Sequence, residues 1–134
     1  MRLDDLIDNL INISGDSLES KIEEAISKTK EELKDLTTET TCFVYSSALG
    51  ENLRKRHIAN RIESTTEYDY PYIHQFNTVR KNDNEIYLID LTYSQFQSTK
   101  FEELLQKGYM LIKENELDEY LQVVGNVNQG KRKR

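Results

Sequence analysis

Leu3, Leu6, Ile7, Leu10 and Ile11 recur at helical spacing and put one apolar stripe on a short helix over residues 3 to 13. Ser14-Gly15 breaks that pattern. Asp16 followed by Glu19 reads as a capping box, after which Ile22, Ala25, Ile26, Leu33 and Leu36 line one face of a second helix ending near Leu36. Acids and bases four apart on its other face, such as Glu24 and Lys28, form a solvated surface. The run Thr37-Thr38-Glu39-Thr40-Thr41 is rich in capping hydroxyls, so a third helix begins at Cys42, with Cys42, Tyr45, Leu49 and Leu53 on its inward side. Gly50 weakens that helix, and Arg54-Lys55-Arg56 suits the negative end of its dipole.

Residues 57 to 72, with tyrosines around the only proline, Pro71, read as an extended loop. From Ile73 the period changes to two. Ile73 to Arg80 alternates, Asn82-Asp83-Asn84 turns, and Ile86-Tyr87-Leu88-Ile89 is a β-rich run buried on at least one face, which together predict a hairpin. A short helix at 101 to 107 closed by Gly108, a third strand at 109 to 113 and a last helix at 116 to 124 closed by Gly125 follow. The expected fold class is α+β: N-terminal helices and the Cys42 helix packed on a small antiparallel sheet of about three strands. Residues 1 to 125 form a single domain, with 1 to 40 as an acidic helical arm and 41 to 125 as the core, and 126 to 134 form a disordered basic tail.

Composition narrows the partners. The 134 residues have room for one modest core, and no apolar run approaches the roughly 18 residues of a spanning helix. The N-terminus carries acids where a general secretory signal carries bases, so the expected location is the cytoplasm, or a target cell reached by another route. Residues 1 to 40 hold five bases and eleven acids, while the remaining thirteen of each balance, so the net charge of -6 belongs to the arm. That makes the acidic helices a possible surface for a protein partner and argues against nucleic acid, despite the terminal Lys131 to Arg134. One cysteine and two histidines allow no internal disulfide and no zinc cluster, so no cofactor is expected.

The thiol is then either packing or chemistry. A thiolate is the reactive form, and the positive end of a helix and a neighbouring imidazolium both favour it. Cys42 has the first by position. His74 supplies the second, and Asp90, which a turn at 82 to 84 brings near it across the hairpin, fixes the imidazole's tautomer. His57, following three bases at a helix end, is read as a satisfied histidine at the helix C-terminus.

The segments His74-Gln75-Phe76-Asn77-Thr78-Val79 and Ile86-Tyr87-Leu88-Ile89-Asp90-Leu91-Thr92-Tyr93-Ser94-Gln95-Phe96 resemble the His and Asp segments of papain-like and transglutaminase-like thiol enzymes, nearest to small bacterial toxin or effector hydrolases and glutamine deamidases. The resemblance spans about residues 40 to 124. It implies Cys42 as nucleophile, His74 as general base and Asp90 as orienting acid, acting on an amide of a protein substrate by proteolysis, deamidation or acyl transfer. The backbone N–H of Cys42 would be one oxyanion donor. Leu91 stands where that family usually has proline, and no glutamine lies in the stretch just before Cys42, so the second donor is left among Thr38, Thr40, Thr41, another backbone N–H and Gln95, the last of which has packing or strand termination as its plainer role. The alternative is a non-catalytic interaction domain on the same scaffold.

Overall fold

The computed structural model describes residues 3–36, 41–96 and 98–126, with side chains from Leu18 onward. The expected hairpin forms from β2 (Gln75–Arg80) and β3 (Glu85–Ile89). Its turn is built by Asn82, whose Oδ1 accepts from the backbone N–H groups of Asn84 and Glu85, both at 2.9 Å. A short side chain that bonds the backbone two and three residues on is why asparagine marks such a turn.

Around the hairpin lie β1 (Arg61–Ser64) and β4 (Tyr109–Lys113), giving a four-stranded antiparallel sheet in the order β1-β2-β3-β4. The sheet therefore has four strands rather than the expected three. The extra one is β1, within the stretch read as a loop. Four helices complete the α+β fold among the described residues: α1 (Leu3–Glu32), α2 (Cys42–Lys55), α3 (Glu102–Lys107) and α4 (Leu117–Val124).

Helix α1 corrects a second expectation, because it runs unbroken through Ser14-Gly15 instead of forming two helices, and it stops at Glu32 rather than near Leu36. A mid-helix glycine costs only about 1 kcal/mol relative to alanine, which weakens a helix without obliging it to end. The Asp16–Glu19 pair thus lies inside a helix rather than at the start of one. The threonine run 37–40 and all of the basic tail beyond Asn126 lie outside the described residues.

The sheet is buried on both faces, and the period-two alternation of β3 sorts its side chains between them. Tyr87 and Ile89 face α1 and α2, in a cluster with Ile22, Ala25, Ile26, Leu49 and Leu53. Ile86 and Leu88 face the other way, with Phe76, Tyr93, Phe96, Leu104, Tyr120, Leu121 and Val124. The C-terminal half of α1 is thus part of the core. Asn52 Nδ2 bonds the buried Thr29 hydroxyl at 2.9 Å, joining α2 to α1 by a satisfied polar contact within that layer.

Gly108 joins α3 to the sheet. Its φ of +86° ends the helix, its N–H donates to Leu104 O, and its carbonyl accepts the N–H of Asp90 at 2.9 Å. Left-handed backbone favours glycine. A Cβ there would also come within 2.7 Å of the flexible end of Leu91. Gly108→Ala is expected to lower unfolding stability by about 1–2 kcal/mol, read as a lower urea midpoint at unchanged slope.

Candidate functional site

Extending the β2–β3 register, in which Asn77 faces Ile89, places Phe76 opposite Asp90 and His74 diagonally across from it on the same face. His74 and Asp90 meet there: Nε2 of the imidazole lies 2.8 Å from Asp90 Oδ2, with both side chains fully buried. Phe96 packs edge-on against the imidazole, with ring centroids 4.7 Å apart and planes at 88°. The ring is clamped on two sides.

The carboxylate is held by more than the histidine. Asp90 Oδ1 accepts from the backbone N–H of Thr92 at 3.0 Å and from its hydroxyl at 3.1 Å, and Oδ2 also accepts from the Tyr120 hydroxyl at 2.5 Å. Four donors converge on one buried carboxylate. That many donors hold an ionised carboxylate in a site from which water is removed.

Cys42 opens α2, as expected, and is itself 1% exposed. Its sulfur is both a hydrogen-bond and a charge partner of the His74 imidazole. Nε2 is taken by Asp90, which leaves Nδ1 as the ring nitrogen for the sulfur. Thr41 occupies the N-cap position without its side chain capping the helix, and the first intrahelical bond is Tyr45 N–H to Thr41 O. The N–H groups of Cys42, Phe43 and Val44 lie ahead of that bond and point out of the positive helix end.

The titration of the pair follows from these contacts. Burial works against a charged imidazole, but the Asp90 carboxylate and, less strongly, the Cys42 sulfur outweigh it and push His74 up to about 9. Burial likewise pushes Asp90 up, and the His74 charge, with the hydrogen bonds from His74, Tyr120 and Thr92, brings it below its ordinary value. At neutral pH the stable form is therefore imidazolium beside carboxylate. Tyr120, buried beside that carboxylate, is pushed well above the ordinary tyrosine range and stays a donor.

The structure thus brings Cys42, His74 and Asp90 together. Gln95 is buried on the 3₁₀ turn Tyr93–Phe96, next in sequence to the phenylalanine that packs on His74. A crevice of about 10 Å³ lies beside the sulfur, and its polar lining comes from Ser46, Gln75, Asn77, Asp90 and Thr92, with neither Thr41 nor Gln95. His57 is exposed with φ of 62° at the end of α2, away from the site. Three participants escaped sequence reasoning. Thr92 had a signal in the Asp90-Leu91-Thr92 turn, whereas Tyr120 and Gln75 had none beyond helical and strand periodicity. Gln75 is positioned by the Ser46 hydroxyl, one helical turn beyond Cys42, which lies 2.9 Å from its Oε1.

A larger cleft of about 270 Å³ lies over β1 and β2, lined in part by Arg61, Glu63, Tyr68, Thr78, Arg80 and Glu114. Glu63 there accepts from the Tyr68 and Thr78 hydroxyls, and Arg80 pairs with Glu114 at 2.9 Å. Its charged groups are engaged with one another and include no nucleophile paired with a base, unlike the smaller crevice beside Cys42. Among the described residues, no group of three or more His, Cys, Asp or Glu side chains is placed to hold a metal, and no helix is long and apolar enough to cross a membrane. No family model, curated protein or solved structure matches this chain.

Two outcomes follow from the buried pair. A folded-state histidine raised from 6.5 to about 9 adds stability that is fully present below pH 6.5 and is lost as pH rises through 9. The thermal midpoint of the wild type is expected to fall across that window, and the fall attributable to this pair should vanish in His74→Asn. Tyr120→Phe removes one of the four donors to Asp90 and is expected to cost about 1–3 kcal/mol in denaturant unfolding.

Proposed function

We propose that this protein is a thiol-dependent hydrolase or acyltransferase that acts on a carboxamide of a protein substrate through an acyl-enzyme. The observation that carries the reading is the chain of buried contacts from the Cys42 sulfur through His74 to Asp90. The imidazolium at neutral pH favours the thiolate beside it, which attacks the amide carbon to form a C–S bond and a tetrahedral oxyanion. The N–H of Cys42 at the helix end is one donor to that oxyanion, and Nε2 of Gln75, whose Oε1 is engaged by Ser46, is the other. As the C–N bond breaks, His74 gives its proton to the departing ammonia or amine and leaves a thioester. It then takes a proton from water or an incoming amine, whose attack releases the acyl group and regenerates the thiolate. Asp90 stays ionised throughout and keeps the ring's Nδ1 toward the sulfur.

A second reading, a non-catalytic interaction domain on the same scaffold, draws on the 1% exposure of Cys42. The acidic surface of α1 would then be the partner face.

Alkylation by iodoacetamide separates the two. An enzyme is expected to label at Cys42 rapidly at pH 6, where an isolated thiol with pKa near ~8.5 reacts slowly, and His74→Ala is expected to remove that advantage. Ammonia release from a glutamine peptide, cleavage of casein and incorporation of an amine into casein distinguish the three release steps. Cys42→Ala should lose whichever one the wild type performs while keeping its far-UV circular dichroism. A thiol silent at pH 6 in the wild type, or full turnover by Cys42→Ala, overturns the enzyme reading.

A further inference from the structure

Among the described residues eight large hydrophobic side chains are exposed, and four of them lie within two residues of Cys42 or His74. Phe43 and Val44 follow the cysteine on α2, and Tyr72 and Ile73 precede the histidine, each 40–46% exposed. Because Cys42 lines one crevice with Gln75 and Phe76, which directly follow His74, and Ser46 bonds Gln75, these neighbours are brought to the same end of the sheet. Single exposed hydrophobics are ordinary, but a group of four around one buried polar pair is a surface feature.

The strap carrying Tyr72 and Ile73 is fixed in place. Tyr72 donates its N–H to Gly125 O at 3.0 Å, and its carbonyl accepts from the Thr65 hydroxyl at 2.6 Å. The N–H of His74 donates to the same Thr65 oxygen at 2.9 Å. The two segments that carry these four side chains are also poor in charge. Residues 41–49 and 70–79 contain no Asp, Glu, Lys or Arg in a chain that is 31% charged overall. The crevice beside the sulfur, at about 10 Å³, holds no more than about one water-sized sphere, so it has no room for a whole amide substrate. Contact area for a substrate must come from the rim.

We infer that Phe43, Val44, Tyr72 and Ile73 form the docking surface for an uncharged, apolar segment of a protein substrate, whose aliphatic or aromatic side chains flank the reacting carboxamide. This deepens the proposed function and rests on Cys42 being its nucleophile. Free glutamine and amides flanked by charged residues lack the groups that the rim contacts. The surface sets selectivity through substrate binding, while the bond-making step stays with Cys42 and His74.

The test compares alkylation of Cys42 by three reagents at pH 7: iodoacetamide, N-iodoacetyl-Leu-Phe-amide and N-iodoacetyl-Asp-Ser-amide, followed by mass spectrometry. The Leu-Phe reagent is expected to react about tenfold faster than the Asp-Ser reagent, the advantage given by covering two half-exposed apolar side chains. In the double variant Phe43→Ser, Ile73→Ser, both at exposed positions, the ratio is expected to fall toward one while the iodoacetamide rate stays within about twofold of wild type. Equal rates of the two peptide reagents in the wild type, or an undiminished ratio in the double variant, overturn the docking surface and leave the thiol chemistry standing. A Cys42 that iodoacetamide does not label overturns the thiol chemistry and the docking surface with it.

Discussion

The contact on which this structure turns is a carboxylate with four donors. Asp90 ends β3 inside the protein, where an ionised group is tolerated only if its oxygens are satisfied. Thr92 serves one oxygen from the same turn, while His74 from the approach to β2 and Tyr120 from α4 serve the other. The carbonyl of Gly108, at the end of α3, fixes the backbone of the same residue. Elements from across the sheet and from its C-terminal helical layer therefore meet at one side chain. Loss of a partner there leaves a buried charge short of compensation, which costs more than the partner's own bond contributes.

Placing the sheet between two helical layers makes that meeting possible. Strand alternation sends Asp90 and His74 toward α4 and sends Gln75 and Asn77 toward α2, so the end of β2 presents an imidazole on one side and carboxamides on the other. Helix α2 begins at that end of the sheet, which puts its first residue, and the positive end of its dipole, against the histidine. Packing fixes the positions, and electrostatics then sets the protonation that the proposed chemistry uses.

Much of this was legible in the sequence because the signals were local. The asparagine turn set the hairpin register, and the register brought Asp90 to His74. The threonine-to-cysteine boundary marked the start of α2, although Thr41 does not cap it with its side chain. What escaped was non-local. Strand β1, Arg61-Ile62-Glu63-Ser64, has one apolar residue in four and becomes a strand by pairing with β2, with Arg61 opposite Thr78 and Ser64 opposite Gln75. The continuity of α1 through Gly15 reflects a helix whose later turns are anchored by packing, which a local breaker does not override. Tyr120 sits on an amphipathic helix where any large apolar residue satisfies the pattern, and only the fold shows that its hydroxyl ends on a carboxylate thirty residues earlier in the chain.

That last contact has a consequence for synthesis. Cys42, His74 and Asp90 leave the ribosome well before Tyr120, and α4 closes the layer that seals the carboxylate from water. Until residue 120 has emerged, Asp90 lacks one of its four donors. The surroundings of the thiol are therefore completed only when α4 is made, after the strands and α2 are already available to pack.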